Sequence, residues 1–89
     1  MYSKQSEKYT GNFFTKGMVN KNMFSLLIDI SSVRSEKVIN ALTDFFVYGH
    51  PRNQVCERHN VNPGYLSVKI KELQLLERRI KEIAPYYLN

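Results

Sequence analysis

The stretch that decides the fold is "VCERHNVNPGYLSVKIKEL", residues 55–73, in which a proline and a glycine interrupt a run of good helix formers. If Asn62 caps a helix, Pro63 occupies the first helical position, where the N–H that proline lacks would have no intrahelical partner. Gly64 then lies in the first turn. The pair therefore predicts the start of a helix that runs until Pro85. Its apolar stripe consists of Leu66, Ile70, Leu73, Leu76, Ile80 and Ile83.

A shorter helix precedes this long one. Pro51 has the fixed φ of a first helical turn, so the sequence predicts a helix over residues 51–59, with Val55 and Cys56 facing inward. Asn60 is a residue type that tolerates the left-handed conformation of a tight turn, and Val61 would fill the inside of that turn. Two helices joined in this way form a helix-turn-helix, which in DNA-binding proteins presents the first turns of its second helix to a groove.

Two further helices are expected upstream. Residues 35–49 show apolar residues at helical spacing, with Ser35 as the cap and Gly49 as a left-handed terminus. Residues 23–30 are apolar on nearly every side, which favours a short buried helix capped by Asn22. A buried strand is the competing interpretation, because periodicity does not decide so short a run.

The first part of the chain has no such pattern. Residues 1–21 mix polar, glycine and aromatic residues without a period, so we interpret them as a flexible basic N-terminal arm. Residues 22–89 are then one helical domain, in keeping with a length of 89 residues, 43% hydrophobic and 24% charged. The expected fold class is all-α: a small helical domain with a helix-turn-helix followed by a long C-terminal helix.

Positive charge is concentrated at both ends of the chain. The net charge is +5, divided as +3, −1 and +3 over residues 1–22, 23–49 and 50–89, which suits a polyanionic partner. In the helix-turn-helix, the positions that face outward and could meet base edges are Asn62, Pro63, Gly64, Ser67, Val68 and Lys71. The residues expected to contact phosphates are Arg52, Arg58, Lys69 and Lys71, each of which is equally compatible with an ordinary solvated surface.

Other classes of function find little support. Cys56 is the single cysteine, so an internal disulfide is excluded and a reducing compartment such as the cytosol is expected. Cys56 with His50 and His59 does not supply the four ligands of a structural zinc site. No phosphate-binding loop or catalytic constellation is evident, and no apolar run is long enough to span a membrane. We therefore expect no enzyme activity, cofactor, metal or small-molecule substrate.

The apolar stripe of the last helix contains a short heptad. Leu66, Leu73 and Ile80 are seven residues apart, as are Leu76 and Ile83. Packing against the helix over residues 35–49 is the favoured interpretation. A subunit seam is the alternative, because so small a chain buries little surface by itself. The residues expected in such a seam are Phe24, Leu27, Leu76, Ile80 and Ile83.

Four stretches resemble a known family. The segments "FSLLIDISS", "SEKVINALTDFFVYGH", "RNQVCERHNVNPGYLS" and "IAPYY" are similar to the PapB-type transcriptional regulators of enterobacterial fimbrial and adhesin operons. The resemblance implies a bacterial, cytoplasmic and nucleoid-associated protein that binds AT-rich repeated sites in double-stranded DNA as an oligomer. It also adds Tyr65 to the residues expected at the DNA. A helical protein-protein interaction module without DNA binding remains the alternative.

Overall fold

The first helix begins where an asparagine side chain supplies the missing backbone partners. In the computed structural model, which describes residues 14–88, helix α1 spans Lys21–Ile30. The Oδ1 atom of Asn20 accepts hydrogen bonds from the N–H groups of Asn22 and Met23 at 2.8 and 3.1 Å. The predicted cap at Asn22 is therefore wrong by two residues. Asn20 is the cap because its extended backbone aims its side chain at the free N–H groups of the first turn.

Helix α2, Glu36–Phe46, lies at the centre of the fold and contacts α1, α3 and α4. As predicted, Ser35 caps it: the Ser35 hydroxyl accepts a hydrogen bond from the Val38 N–H at 3.4 Å. Its inward face is fully buried and supplies the middle of the hydrophobic core. The buried residues of α2 are Val38, Ala41, Leu42, Phe45 and Phe46.

The helix-turn-helix follows, formed by α3, Arg52–His59, and α4, Pro63–Ile83. Pro51 is the residue before α3 and not its first residue, because its backbone is extended, with φ −63° and ψ 151°. A single turn, α5, Pro85–Leu88, ends the described chain. The order of these helices confirms the predicted all-α fold with a long C-terminal helix. No helix within residues 14–88 is long and apolar enough to cross a membrane.

Helix α4 packs on the core through its first half. Leu66, Ile70 and Leu73 are buried, whereas Leu76 and Ile80 are only partly covered and Ile83 is 48% exposed. The first part of the heptad, Leu66 and Leu73, therefore packs within the chain, as the favoured interpretation expected, whereas Ile83 does not. On α1, Phe24 and Leu27 are also core residues, 3% and 4% exposed. Their burial corrects their assignment to an exposed seam, because their own chain already covers them.

Part of the predicted N-terminal arm packs against the body. Phe14 and Val19 are buried, and the N–H groups of Gly17 and Val19 donate to the carbonyls of the last α2 residues, Phe45 and Phe46, at 3.0 and 3.1 Å. The packed body therefore begins by residue 14 and not at residue 22. The remainder of the predicted arm, residues 1–13, lies outside the described residues, so for those residues the arm stays a prediction.

Candidate nucleic-acid interface

The corner between α3 and α4 forms at a left-handed asparagine. Asn60 has φ 56° and ψ 50°, the conformation that its residue type was expected to tolerate. The N–H of Val61 then donates to the Cys56 carbonyl at 3.0 Å, and the Val61 side chain is 6% exposed inside the turn. The chain therefore reverses direction sharply after α3, as predicted.

The beginning of α4 is fixed by its own cap. The Oδ1 atom of Asn62 accepts a hydrogen bond from the Tyr65 N–H at 3.0 Å, and Pro63 occupies the start of the helix. Gly64 lies beside this cap: a Cβ atom at Gly64 would lie 3.2 Å from Asn62 Oδ1. Because glycine has no Cβ atom, it avoids this tight contact with the capping oxygen of Asn62 and adds no side chain to the first turn of α4.

The leading end of α4 is open to solvent. Leu66 and Ile70 anchor one side in the core, and the opposite side projects outward. Tyr65 is 48% exposed and Val68 is 53% exposed. We call this exposed surface the α4 face; it consists of Asn62, Pro63, Gly64, Tyr65, Val68 and Lys71. Ser67, which was also predicted to face outward, is only half-exposed.

Arg52 connects three helices next to the α4 face. Its Nη1 atom donates to the Ser67 hydroxyl on α4 at 3.3 Å, and its guanidinium carbon lies 5.7 Å from the centre of the Phe45 ring on α2. Stacking and planar hydrogen bonding of this kind are specific to arginine. Arg52 therefore holds α4 in position, and its remaining N–H donors are still available to a phosphate.

Arg58 is engaged elsewhere. Its Nη1 atom lies 3.1 Å from the Oδ2 atom of Asp44 on α2, and the Nε2 atom of His59 lies 2.6 Å from the same oxygen. Partial burial alone would raise the pKa of Asp44. The hydrogen bonds from His59 and Arg58, together with the charges of these two side chains, outweigh burial and lower that pKa. This cluster joins α3 to α2, so the structure gives Arg58 a structural role.

Lys69 is also occupied within the chain. Its Nζ atom lies 3.1 Å from Glu72 Oε1 and 5.3 Å from the centre of the Tyr65 ring. The hydrogen bond from Lys69 to Glu72 is the main reason why the pKa of Lys69 is raised. Lys71, in contrast, belongs to the exposed α4 face. Of the two lysines, Lys71 is the better placed for a phosphate.

The sequence reasoning overlooked a continuation of this basic surface. Arg78 follows Lys71 by seven residues, which is two helical turns, and so it lies on the same side of α4. It is exposed, as is its neighbour Arg79. The signal in the sequence is the spacing of basic residues along the predicted helix, with Lys71 and Arg78 two helical turns apart.

Metal binding finds no support in the described part of the chain. Within residues 14–88, no group of three or more histidine, cysteine or acidic side chains could hold a metal ion. Cys56 is 7% exposed at the crossing of the two helices, where it serves as a small apolar side chain.

Comparison with known proteins identifies a family of transcription regulators. The family model described as PapB, adhesin biosynthesis transcription regulatory protein, matches residues 1–87. The regulatory protein FanB of Escherichia coli is 56% identical over 68 residues, which cover 76% of this chain and 69% of FanB. The pilus operon regulatory protein PapB of E. coli is 42% identical over 73 residues, covering 82% of this chain and 70% of PapB.

A solved structure has the same fold. The crystal structure of E. coli FocB superimposes with a TM-score of 0.78 at 36% identity, covering 98% of this chain and 99% of FocB. These findings confirm the resemblance seen in the sequence. The matched family consists of transcription regulators and not of enzymes, which agrees with the expectation of no enzyme activity. The chain therefore belongs to the PapB family of adhesin biosynthesis transcription regulatory proteins.

Proposed function

We propose that this chain is a DNA-binding transcriptional regulator of a fimbrial or adhesin operon, and that it reads DNA with the α4 face. The observation that carries the proposal is the solvent-exposed leading end of α4, which projects from the body after the corner at Asn60. Helix-turn-helix proteins use this part of the second helix to contact base edges. The relatives support the assignment, since they are named as regulatory proteins of adhesin operons.

The proposed binding mode divides the contacts into two kinds. Lys71 and Arg52 contact phosphates on either side of the DNA groove, and Arg78 contacts a further phosphate beyond Lys71 along α4. Val68 and Tyr65 lie between them and meet the bases. Apolar side chains contact the methyl group of thymine, so an exposed valine at this position favours an AT-rich site. An AT-rich site also has a narrow minor groove that attracts basic side chains.

Occupation of repeated sites as a homo-oligomer completes the proposal. The match to bacterial regulators also supports the proposal of a cytoplasmic protein associated with the nucleoid. The experiment is an electrophoretic shift of AT-rich adhesin promoter DNA, with a GC-rich duplex of equal length as competitor at moderate salt. We expect the GC-rich competitor to displace the protein poorly. Equal displacement by both duplexes would refute selective binding, and no shift at low salt would refute DNA binding itself.

A protein-protein interaction module is the second candidate. It is favoured by two exposed apolar side chains on α1, Leu26 and Ile30, which are 68% and 61% exposed. This alternative predicts a stoichiometric protein partner and no affinity for duplex DNA. Fluorescence anisotropy with a labelled duplex distinguishes it from the proposed regulator.

A further inference from the structure

An apolar groove opens between α1 and the far half of α4. It has a volume of about 480 Å³, and its walls include Met23, Leu26 and Ile30 on one side and Glu77 and Ile80 on the other. Leu26 and Ile30 are one helical turn apart and project into solvent. We call this feature the α1/α4 groove. Such a surface costs free energy when water covers it, so it marks a contact site.

The same chain carries a second exposed apolar feature. Beyond Ile80, α4 leaves the core, and the large apolar side chains that follow are exposed: Ile83 is 48% exposed, Tyr86 83%, Tyr87 80% and Leu88 82%. We call these four residues the C-terminal ridge. Since the ridge is exposed, it does not fill the groove of its own chain.

We propose that the C-terminal ridge of a second copy of this chain occupies the α1/α4 groove, and that the contact is reciprocal about a two-fold axis. This inference rests on the homo-oligomer in the proposed function and specifies its interface. In an isologous contact each copy supplies both surfaces, so one arrangement covers both grooves and both ridges. It also corrects the predicted seam: Phe24 and Leu27 remain in the core, while Leu26 and Ile30 replace them on α1.

The charges around the two surfaces are complementary. The groove contains Asp29 and Glu77, with Lys81 as the basic residue among its walls. The approach to the ridge carries Arg79, which is exposed one helical turn before Ile83 on α4. A second copy therefore brings a basic helix end to an acidic groove, which favours this orientation over one that places groove against groove.

Glu77 gives the groove a preference for a tyrosine. It is a largely buried carboxylate, 8% exposed, and its Oε2 atom lies 3.1 Å from Lys81 Nζ. A carboxylate at the edge of an apolar surface offers an acceptor to a side chain that is apolar along its length and polar at its tip. The phenol hydroxyl of Tyr86 or Tyr87 from the second copy meets this requirement.

The reciprocal arrangement also suits the size of the chain. The accessible surface is 6415 Å², and a stable interface covers about 800 Å² of each partner, or about an eighth of this surface. A single ridge in a single groove is a small contact. The two-fold axis generates this contact twice, so each copy contributes both its groove and its ridge, and the buried area is doubled.

The test uses two exposed positions whose substitution leaves the core intact. Leu26→Glu places a charge in the groove, and Ile83→Lys places the opposite charge on the ridge. Sedimentation equilibrium of the full chain without DNA should show a dimer for the wild type and at least a roughly tenfold weaker dimer for each variant. An equimolar mixture of the two variants should recover the dimer. In the mixed dimer one contact is wild type, and the other pairs the introduced glutamate of one copy with the introduced lysine of its partner.

Leu75→Glu is the control, since Leu75 is 49% exposed on α4 outside the groove and should leave the dimer unchanged. A monomeric wild type would overturn the proposal and leave the groove to residues 1–13 or to another protein. A mixture that dimerises no better than either variant would overturn the reciprocal contact. Binding to a duplex with one site is measured separately. If the wild type did not bind this duplex, the proposed function would be refuted, whereas the result on dimer formation would stand.

Discussion

The carboxylate of Asp44 and the imidazole of His59 are 2.6 Å apart, which joins the last turn of α2 to the last residue of α3. Arg58 reinforces this connection through the same carboxylate oxygen. Helix α4 follows α3 directly after the turn at Asn60, so the orientation of α3 affects the orientation of α4. By fixing α3 on α2, the cluster therefore helps to orient the α4 face. A charge cluster away from the proposed DNA contacts therefore contributes to the geometry of the interface.

The Asp44 cluster should make stability depend on pH. Asp44→Asn removes the charge and should lower the free energy of unfolding by about 1 kcal/mol at neutral pH, a modest figure because Arg58 is half-exposed. Because the folded-state pKa of Asp44 is lowered, its contribution is complete above the unfolded-state pKa of about 4 and is lost as the pH falls through the lower folded value. Urea unfolding at about pH 7, 5 and 3 measures the difference.

The wild type and Asp44→Asn should therefore differ at about pH 7 and pH 5, and the difference should be smaller at about pH 3, where the contribution of the charged carboxylate is being lost. Glu57→Gln is the control, because Glu57 is an exposed carboxylate on α3 outside this cluster. A difference that persisted unchanged at the lowest pH would show that the charge of Asp44 is not what stabilises the cluster.

Arg52 should act through its shape as well as its charge. Arg52→Lys keeps the positive charge but loses the planar contact with Phe45 and the hydrogen bond to Ser67. We expect DNA affinity to fall about tenfold, or about 1.4 kcal/mol, while the dependence of affinity on salt stays the same. Anisotropy titrations over a range of salt concentrations measure both quantities. Ser67→Ala should weaken binding in the same direction, and wild-type affinity in both variants would contradict the positioning role.

Lys71 and Lys69 should differ although they are two residues apart. Lys71→Ala should reduce the slope of log affinity against log salt by about 0.9, the value for one phosphate contact. Lys69→Ala should change the slope less, because Lys69 is paired with Glu72. Lys37→Ala on α2 serves as a control for a change in net charge alone. Equal slopes for Lys71→Ala and Lys37→Ala would remove Lys71 from the phosphate contacts.

Gly17 and Gly49 should be intolerant of any side chain. Both have positive φ, 74° and 76°, and a Cβ atom on Gly17 would lie 3.0 Å from the Gly49 Cα atom. Gly17→Ala should therefore destabilise the chain by about 1–3 kcal/mol through strain and backbone crowding. Gly64→Ala is the control, because no positive φ applies there, and should cost less. Thermal unfolding followed by circular dichroism measures the stability of both variants and of the wild type. Equal stability of Gly17→Ala and the wild type would contradict the close approach of the Gly17 and Gly49 backbones.

Local features of the fold were predictable from the sequence. The cap at Asn62, the proline after it, the left-handed Asn60 and the cap at Ser35 each depend on the backbone of a few neighbouring residues. The exposed α4 face followed from them, since the helix start and the apolar stripe determine which side faces outward. The error at Asn20 and Asn22 has the same origin: two asparagines in close succession offer equivalent local signals.

By itself, the sequence determined where the main helices lie and which side of each is apolar, because helix caps and periodicity are properties of short segments. Tertiary structure decided which distant residues meet: the side chains of Arg58 and Asp44, the side chains of Arg52 and Ser67, and the backbones of Gly17 and Gly49. These partners are 14 to 32 residues apart in the chain. Their contacts depend on how whole helices cross, so a sequence pattern could not show that Arg58 pairs with Asp44.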